Sequence, residues 1–288
     1  MQIDATGSQF AQDLERFRAV QQLAYACCEA VSRQLQPGMT EKDAAEMLRV
    51  WLHDKGVRDW LHKPFAWFGD RTAFRGFSGL SHMAGFNLAF FPSSRKLERN
   101  MPVILDVAPV LDGYLADVGY ACCVGHNPAL DQLMDDLAEH RQLIIDLIQA
   151  RRTMADVARA VDALCEKQGV EPRHKAYPFK VLAHRVTRLH NPRGQLNVAR
   201  FGLNSTLDLV KQVGQGSKEG WSPLWSVDKR SQHAPQPGLW AVEPHLGRDG
   251  VGAKFEELLV ITEDSAFWLD DDLPHVRRWH QRQIKVAA

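Results

Sequence analysis

Long apolar runs and an excess of charge of either sign are both missing from this sequence. A typical apolar stretch, Leu143–Ile148, is interrupted by Asp146 and is far too short to span a bilayer. The 35 lysines and arginines equal the 35 aspartates and glutamates, so no net charge attracts nucleic acid or an anionic membrane. The first residues also lack the pattern of a signal peptide. We therefore expect a soluble cytoplasmic protein that binds neither nucleic acid nor membrane.

Cysteine is scarce, and its arrangement does not suggest disulfides or a zinc site. The five cysteines are an odd number, and four of them form the adjacent pairs Cys27–Cys28 and Cys122–Cys123. Adjacent cysteines rarely bridge each other, and the CxxC spacing of zinc sites is absent. The sequence also lacks GxGxxG, GxxxxGK[ST] and GxSxG motifs, so neither a nucleotide nor a nucleophilic serine is indicated. The thiols are predicted to be small core residues in a reducing compartment.

What is present is an ordinary globular composition, with 45% hydrophobic residues in 288. Apolar residues spaced three and four apart predict one helix over about 14–35 and another over about 128–150. The segment Trp60–Phe77 is predicted to be irregular. Its aromatic side chains either line a pocket or form a dimer contact, and they include Trp60, Phe65, Trp67 and Phe68.

Each of these helices is followed by a shorter helix that begins after a threonine and ends at a glycine, at Thr40–Gly56 and Thr153–Gly169. The two short segments align without a gap. One interpretation is an internal duplication, which predicts two αα-plus-sheet halves at about 10–125 and 126–270. The other is that any two capped helices of similar length look alike.

The first pair of candidate functional residues lies in the stretch PVILDVAPVLDGYLADVGY. Asp106 and Asp117 interrupt apolar runs on either side of Asp112–Gly113, a dipeptide typical of hairpin turns. The two carboxylates are therefore expected on neighbouring strands at about the same level. Such a buried pair is stable only with a proton or a cation between its members.

The second half repeats this pattern. Glu243 follows the apolar run Leu239–Val242, and Glu256 precedes Leu258–Ile261, with a turn at Arg248–Gly250 between them. Four inward carboxylates need about four positive charges, which two divalent ions would provide. Oxygen donors with a single imidazole suit Mn, Co, Fe or Zn.

Three stretches resemble the methionine aminopeptidase, aminopeptidase P and creatinase superfamily: LERNMPVILDVAPVLDGYLADVG, AHRVTRLH and GLWAVEPHLGRDGVGAKFEELLVITED. The resemblance extends through the amino-terminal helix and PGMTEKDAAEML, and so covers nearly the whole chain. It implies an α+β pita-bread fold. In that fold two pseudo-symmetric αα-plus-antiparallel-sheet halves surround a dinuclear metal site, here within one catalytic domain, 1–288.

The resemblance also implies a set of metal ligands. The family carries Asp, Asp, His, Glu and Glu in this order, which here are Asp106, Asp117, His184, Glu243 and Glu256. Glu256 is chosen over Glu257 because the family's spacing to the closing Val-Thr, here Ile261–Thr262, selects it.

Roles follow from the same resemblance. Asp117 and Glu256 would bridge two divalent ions. Asp106 would complete the coordination of one ion, and His184 with Glu243 would complete that of the other. The hypothesis is that the ions lower the pKa of a shared water and present hydroxide to an electrophilic carbon. Glu243 would accept a proton from that water.

Three further histidines are candidates for contact with a substrate. His190 and His82 match roughly where the family places histidines that stabilise the tetrahedral intermediate. A structural role for His82 is an equal alternative. His245 lies two residues from a ligand, and its side chain points either toward the centre or away from it.

The chain departs from the family around these ligands. The usual His-Gly-hydrophobic-Gly is here His184–Thr187, and His190 follows His184 by six positions where seven is usual. The hydroxyl residue usually found two positions after the second aspartate is Gly119. The usual Glu-Pro-Gly ends in His245. Residues 191–237 form a long segment that is either a lid over the site or an elaboration without a catalytic part.

Three functions are compatible with this pattern. The first is a hydrolase of peptide or amide C–N bonds, such as an aminopeptidase. The second is a creatinase-like hydrolase or a lyase that acts on a small non-peptide substrate, which the departures favour. The third is a non-catalytic binding module, which the intact ligand set argues against. The expected partners are a short peptide or other small substrate and, by resemblance, a second copy of the chain in a homodimer.

Overall fold

The computed structural model of this chain describes residues 8–74, 88–189, 197–198 and 200–287. The helices are α1 (Ser8–Ser32), α2 (Glu41–Asp54), α3 (Pro128–Gln149), α4 (Met154–Gln168), α5 (Leu203–Glu219) and α6 (Pro274–Ala287). The first eight strands are β1 (Asp59–Phe68), β2 (Pro102–Leu111), β3 (Tyr114–Leu115), β4 (Val118–Cys123), β5 (Glu171–Pro172), β6 (Ala183–Val186), β7 (Asn197–Val198) and β8 (Phe201–Gly202). The others are β9 (Leu224–Trp225), β10 (Gly238–Val242), β11 (His245–Arg248), β12 (Val251–Lys254), β13 (Glu257–Ile261) and β14 (Ala266–Trp268).

These strands form three antiparallel sheets. The six-stranded sheet has the order β3-β2-β1-β8-β7, with β4 also paired to β2. The five-stranded sheet has the order β14-β13-β10-β6-β9, and the three-stranded sheet has the order β12-β11-β5. Helices α1 and α2 pack on β2 and β1, while α3 and α4 pack on strands of the other two sheets. The chain therefore runs twice from a helix pair to a sheet, as predicted.

Both short helices begin at the predicted caps. The Thr40 hydroxyl accepts a hydrogen bond from Asp43 N at 3.2 Å, and the Asp43 carboxylate accepts one from Thr40 N at 2.8 Å. The Thr153 hydroxyl accepts one from Asp156 N at 3.2 Å. Gly169 ends α4 with a φ of 67°, a left-handed conformation that glycine adopts without strain. The side-chain oxygens stabilise the first turns because they pair otherwise unsatisfied N–H groups.

The two predicted hairpins are present. In the first, Asp112 and Gly113 have φ values of 52° and 87°, and Asp106 lies opposite Gly119. In the second, β10 pairs with β13 and β11 with β12, in one continuous register. Glu243 and Glu256 therefore face each other at the point where both strands pass from one sheet to the next. Both hairpins deliver their carboxylates to the middle of the molecule.

The prediction of an irregular segment after residue 60 is wrong for its first part. Residues 59–68 form β1, which lies between β2 and β8. The register of β1 shifts on both sides of His62, so the strand carries bulges there, next to Pro64. A bulge accommodates a proline, which cannot donate to a ladder, and it redirects neighbouring side chains. Both faces of β1 are largely buried, which hides the alternation by which a strand is predicted.

The long segment 191–237 contains β7, β8, α5 and β9 among its described residues. Trp225 in β9 is fully buried against Trp240 of β10, with ring centroids 5.0 Å apart, so this part of the segment belongs to the core. A lid role for the segment and the boundaries of the two halves stay predictions. All five cysteines are unpaired and none is exposed, as predicted. None of the described helices has the length and apolarity needed to cross a membrane.

Candidate metal centre

The four predicted carboxylates meet in one buried cluster. Their exposed fractions are 4% for Asp106, 4% for Asp117, 7% for Glu243 and 2% for Glu256. On the sheet, Ala108 of β2 pairs with His62 of β1 and, in the continued register of the hairpin, faces Asp117. Paired residues on neighbouring strands point to the same face of a sheet, and so do residues two apart on one strand. The side chains of Asp106, Asp117 and His62 therefore converge.

Two imidazoles flank Asp117. His62 Nε2 lies 3.1 Å from Asp117 Oδ1 and 3.2 Å from Asp106 Oδ1. His184 Nε2 lies 3.3 Å from Asp117 Oδ2 and 3.9 Å from Glu256 Oε1. His184 stands on β6 opposite Ala241, two residues before Glu243, and therefore shares a face with that carboxylate. Of these two imidazoles, His184 was predicted from the sequence and His62 was not.

These contacts define two groups of donor atoms that are close enough to hold a metal ion. One group is His62, Asp106 and Asp117, and the other is Asp117, His184 and Glu256. Within each group the donor atoms all lie within 4.8 Å of one another. Carboxylate oxygens and imidazole nitrogens suit divalent ions such as Mn, Fe, Co and Zn, so the residues fit the predicted type of cofactor. Asp117 is common to both groups.

A lysine lies at the centre of the carboxylates. The Lys254 ammonium donates to Asp106 Oδ2 at 2.8 Å, Glu256 Oε2 at 2.9 Å and Glu243 Oε2 at 3.1 Å. Its side chain is 1% exposed. Burial would lower the pKa of Lys254, but Asp106 and Glu256 raise it well above its ordinary value. The lysine is therefore a permanent positive charge inside the cluster.

The pKa values of the other groups follow from burial and from these neighbours. Burial would raise the pKa of Asp117, but His62 and His184 hold it below its ordinary range. Burial would lower the pKa of His62, but Asp117 and Asp106 raise it well above its usual value. For Glu256, burial raises the pKa strongly and the neighbouring carboxylate of Asp117 adds to the effect. The two imidazoles thus favour the ionised form of Asp117, which is the form that binds a metal.

The remaining predicted residues lie elsewhere or outside the described residues. His82 and His190 fall outside the described residues, so their predicted roles stay predictions. His245 is fully buried; its Nε2–H donates to Thr72 O at 2.7 Å and its Nδ1 accepts from the Tyr177 hydroxyl at 3.2 Å. His245 is therefore held by structural hydrogen bonds, and among the described residues it belongs to neither group of donor atoms that could hold a metal.

Glu257, the alternative to Glu256 in the ligand set, has a different environment. Its carboxylate accepts hydrogen bonds from Arg141 at 2.7 and 3.1 Å and lies 3.1 Å from His275 Nε2. Adjacent residues of an extended chain point in opposite directions, so only one of the two glutamates can face the centre. The structure places Glu256 there and pairs Glu257 with an arginine.

No local motif marks the two residues that the sequence analysis missed. His62 precedes Asp106 by 44 positions and lies on a strand without alternating polarity. Lys254 has a clearer signal, because a residue two positions before Glu256 on an extended chain points to the same face. A charged residue at that position of an otherwise apolar hairpin is a candidate for the cluster.

Sequence comparison identifies a family profile and a relative that match this chain. The profile of metallopeptidase family M24 matches residues 15–263. Methionine aminopeptidase A of Synechocystis sp. is 19% identical over 259 residues, which cover 88% of this chain and 92% of that protein.

Solved structures with the same fold include the X-Pro aminopeptidase from Thermotoga maritima, with a TM-score of 0.66 and 15% identity over 92% of this chain. The prolidase from Pyrococcus furiosus has a TM-score of 0.60 and 14% identity over 90% of this chain. This chain spans 62% and 63% of the lengths of those two chains. The likeness to these structures confirms the predicted pita-bread fold. The match to the family profile confirms the prediction of a metallopeptidase-like hydrolase. The chain belongs to metallopeptidase family M24.

Proposed function

We propose that this protein is a metal-dependent peptidase that removes the amino-terminal residue from short peptides. The observation that carries the proposal is the meeting of four buried carboxylates with two imidazoles around Asp117. The single ammonium of Lys254 does not balance four buried carboxylates, so the cluster is electrostatically unfavourable without a further cation. The four carboxylates come from the two hairpins, two from each, so the fold itself brings them together.

The donor groups around His62 and His184 would hold the metal. When bound, a divalent ion acts as a Lewis acid on the scissile carbonyl and lowers the pKa of a water. Among the described residues Glu243 belongs to neither donor group, although it lies next to both. Burial raises the pKa of Glu243 in spite of the adjacent Lys254, which makes this carboxylate a better proton acceptor. We assign the transfer of the proton from the attacking water to Glu243.

The surroundings of the centre favour an apolar substrate. A run of rings, which we call the aromatic wall, starts beside His62 and consists of Phe65, Trp67, Phe74 and Tyr177. The ring centroids of His62 and Phe65 are 5.0 Å apart, and those of Trp67 and Phe74 are 4.8 Å apart. The wall ends at Tyr177, whose ring centroid is 5.0 Å from Lys254 Nζ. The four rings are buried, and we infer that they back the part of the site that receives the side chain of the residue that is removed.

The relatives support a substrate with a free amino terminus. The Synechocystis protein is named as a methionine aminopeptidase, and the Thermotoga structure as an X-Pro aminopeptidase. Both names describe removal of an amino-terminal residue. An aminopeptidase is therefore the specific form of the proposal, with an apolar amino-terminal residue preferred.

The proposal is tested with an unbiased library of short peptides. The protein is loaded with Mn²⁺ or Co²⁺, and products are identified by mass spectrometry. We expect single amino-terminal residues to be released, with apolar ones enriched. Asp117→Asn should slow this release by at least about 100-fold, because the shared ligand is lost. Asp112→Asn is the matched control: Asp112 is exposed in the turn of the same hairpin, and asparagine tolerates its positive φ.

An intact library would contradict the peptidase proposal if the protein had bound its metal. Small amides, amidines and lyase substrates would then be screened, since a creatinase-like enzyme is the alternative that the residues around His184 and Glu243 allow. Cleavage by Asp117→Asn at the wild-type rate would show that another centre is responsible.

A further inference from the structure

We propose that Lys254 takes the place of one metal ion, so that the chain binds a single divalent ion, held by His62, Asp106 and Asp117. The sequence alone predicts two ions. The inference rests on the metal site of the proposed function, but it does not depend on peptide cleavage.

The first argument is the position of the ammonium. Its three N–H groups meet three carboxylate oxygens at 2.8–3.1 Å, one from the first hairpin and two from the second. The ammonium therefore links the two halves of the site, as a bridging cation would. Because its side chain is 1% exposed, Lys254 cannot place its ammonium group in solvent.

The second argument is that the fold makes room for this side chain. Lys254 passes over Gly119 of β4, where an added Cβ would lie 2.8 Å from Lys254 Cδ and 3.0 Å from Cγ. Any larger residue at position 119 would push the lysine stem aside. On another side the Tyr177 ring faces the ammonium at 5.0 Å, within the range of cation–π attraction. The lysine is thus enclosed by Gly119, the Tyr177 ring and the three carboxylates.

The third argument concerns the oxygens that the lysine leaves over. Lys254 uses Oδ2 of Asp106, while Oδ1 of Asp106 and Oδ1 of Asp117 face His62 Nε2 at 3.2 and 3.1 Å. Neighbouring donor atoms about 2.0–2.2 Å from one ion are about 2.8–3.6 Å apart in octahedral or tetrahedral geometry. The distances at His62 fall within that range. At the other donor group, His184 is 3.9 Å from Glu256, whose second oxygen is bound by the lysine.

The orientation of His62 agrees with a ligand role. Its Nδ1–H donates to the carbonyl of Lys63 at 3.1 Å, which orients the ring so that Nε2 points to the two aspartates. The corresponding contact of His184, from Nδ1 to the carbonyl of Arg185, is longer at 3.5 Å. The better-supported imidazole is therefore His62.

Charge favours the same count. Four carboxylates and one ammonium leave three negative charges when both imidazoles are neutral, and one divalent ion reduces them to one. The amino terminus of a peptide substrate carries the positive charge that would balance it. Two divalent ions would instead leave the buried centre with one positive charge, which repels that amino terminus.

The experiment counts metal. Wild-type protein is stripped with a chelator, dialysed against Mn²⁺ and analysed for manganese per chain, with EPR as a second readout. We expect one ion per chain and the spectrum of isolated Mn²⁺. Lys254→Met keeps the length of the side chain but removes its charge, and should raise the count to two. Lys42→Met, at an exposed position of α2, is the matched control and should bind one.

Two further variants identify the ligand. His62→Gln should weaken Mn²⁺ binding by at least about tenfold, and more than His184→Gln does. Two ions per wild-type chain, or the spectrum of a spin-coupled pair, would overturn the proposal even if Lys254→Met does not fold. So would a folded Lys254→Met that binds one ion, or a larger loss in His184→Gln than in His62→Gln. Retention of one ion without cleavage of peptides would instead count against the proposed function alone.

Discussion

Gly119 is the residue whose identity depends most directly on Lys254. Its position carries no backbone requirement for glycine, because its φ is not in the left-handed region. The three atoms nearest to an added Cβ are carbons of the Lys254 stem. Because the ammonium is fixed by three carboxylates, the stem cannot swing away without breaking those hydrogen bonds.

Gly119→Ala should therefore lower the free energy of unfolding by about 2 kcal/mol, as expected for overpacking in a core. The measurement is chemical denaturation of the metal-free protein. In a Lys254→Ala background the same change should cost much less, because the stem is gone. Gly214→Ala in α5 serves as the control. An added Cβ there meets no described atom within 4 Å, so alanine should leave stability unchanged or raise it by up to about 1 kcal/mol. Equal costs of Gly119→Ala in both backgrounds would show that the lysine does not determine this position.

At the same scale, the sequence predicted most of the cluster but not its charge balance. The four carboxylates were predictable because each lies in or at the end of an apolar run beside a predicted turn, and the family resemblance selected Glu256 over Glu257. His184 followed from the family resemblance. His62 and Lys254 were not predicted, because their roles depend on which strands lie next to each other. The position of Lys254 two residues before Glu256 suggests the same face, but only the strand pairing places its stem over Gly119.

Among the elements, the two capped helices were predicted closely because their signals are local. Thr40→Ala and Thr153→Ala should each lower the free energy of unfolding by about 1 kcal/mol, since each leaves an N–H of the first turn unpaired. Thr→Ser at the same positions keeps the hydroxyl and should cost at most a few tenths of that. Denaturant titrations of the four variants measure this. An alanine variant as stable as its serine counterpart would contradict the capping role.

The contact between α3 and α4 should make stability depend on pH. His140 of α3 is fully buried, its Nε2–H donates to Gln168 at 2.9 Å, and its Nδ1 has no hydrogen-bond partner among the described residues. Burial lowers its pKa from 6.5 to about 4. The unfolded chain therefore binds a proton that the folded chain does not, between about pH 6.5 and 4. The contribution of the neutral His140 to the free energy of unfolding is fully present above pH 6.5 and is lost as the pH falls toward 4.

The expected loss is about 2 kcal/mol between pH 7 and pH 5. It is measured as the difference in pH dependence between wild type and His140→Gln, because all other titrating groups cancel in that comparison. His53→Gln, which removes an exposed histidine of α2, should leave the dependence unchanged. The same pH dependence in wild type and His140→Gln would show that this imidazole is not held neutral.

β1 shows why one element could not be predicted. Its sequence, DWLHKPFAWF, contains a proline and no alternation of polar and apolar residues. Its strand conformation is imposed by pairing with β2 and by burial on both faces, which are long-range effects. The failure had a functional cost, because β1 carries His62 and the start of the aromatic wall. Element type was predictable where capping and turn residues determine it, but not where tertiary contacts do.

For the whole molecule, the centre lies where the two halves join. Lys254 and Glu256 of the second half meet Asp106 of the first. Behind them, the Tyr25 hydroxyl of α1 donates to Glu256 O at 2.7 Å, and Gln21 accepts from Leu258 N at 2.6 Å. Lys254 thus links the two halves, and the donor group of His62, Asp106 and Asp117 lies directly beside this link.

Metal should stabilise the fold, because the donor atoms come together only in the folded chain. At a free concentration about 100 times the dissociation constant, Mn²⁺ or Co²⁺ should raise the free energy of unfolding by about 2.7 kcal/mol per site. Thermal and denaturant unfolding with and without metal measure this. Asp117→Asn should lose the increase, whereas Asp112→Asn should keep it. A metal that stabilises both variants equally would bind somewhere other than this centre.

The most direct test of the central claim, that this buried cluster is a metal centre, is a crystal structure of the Co²⁺-loaded protein with an anomalous difference map. The account predicts one strong peak, bounded by His62, Asp106 and Asp117, with Lys254 still in contact with Glu243 and Glu256. A map without a peak among the four carboxylates, from crystals of protein that retains activity, would contradict it.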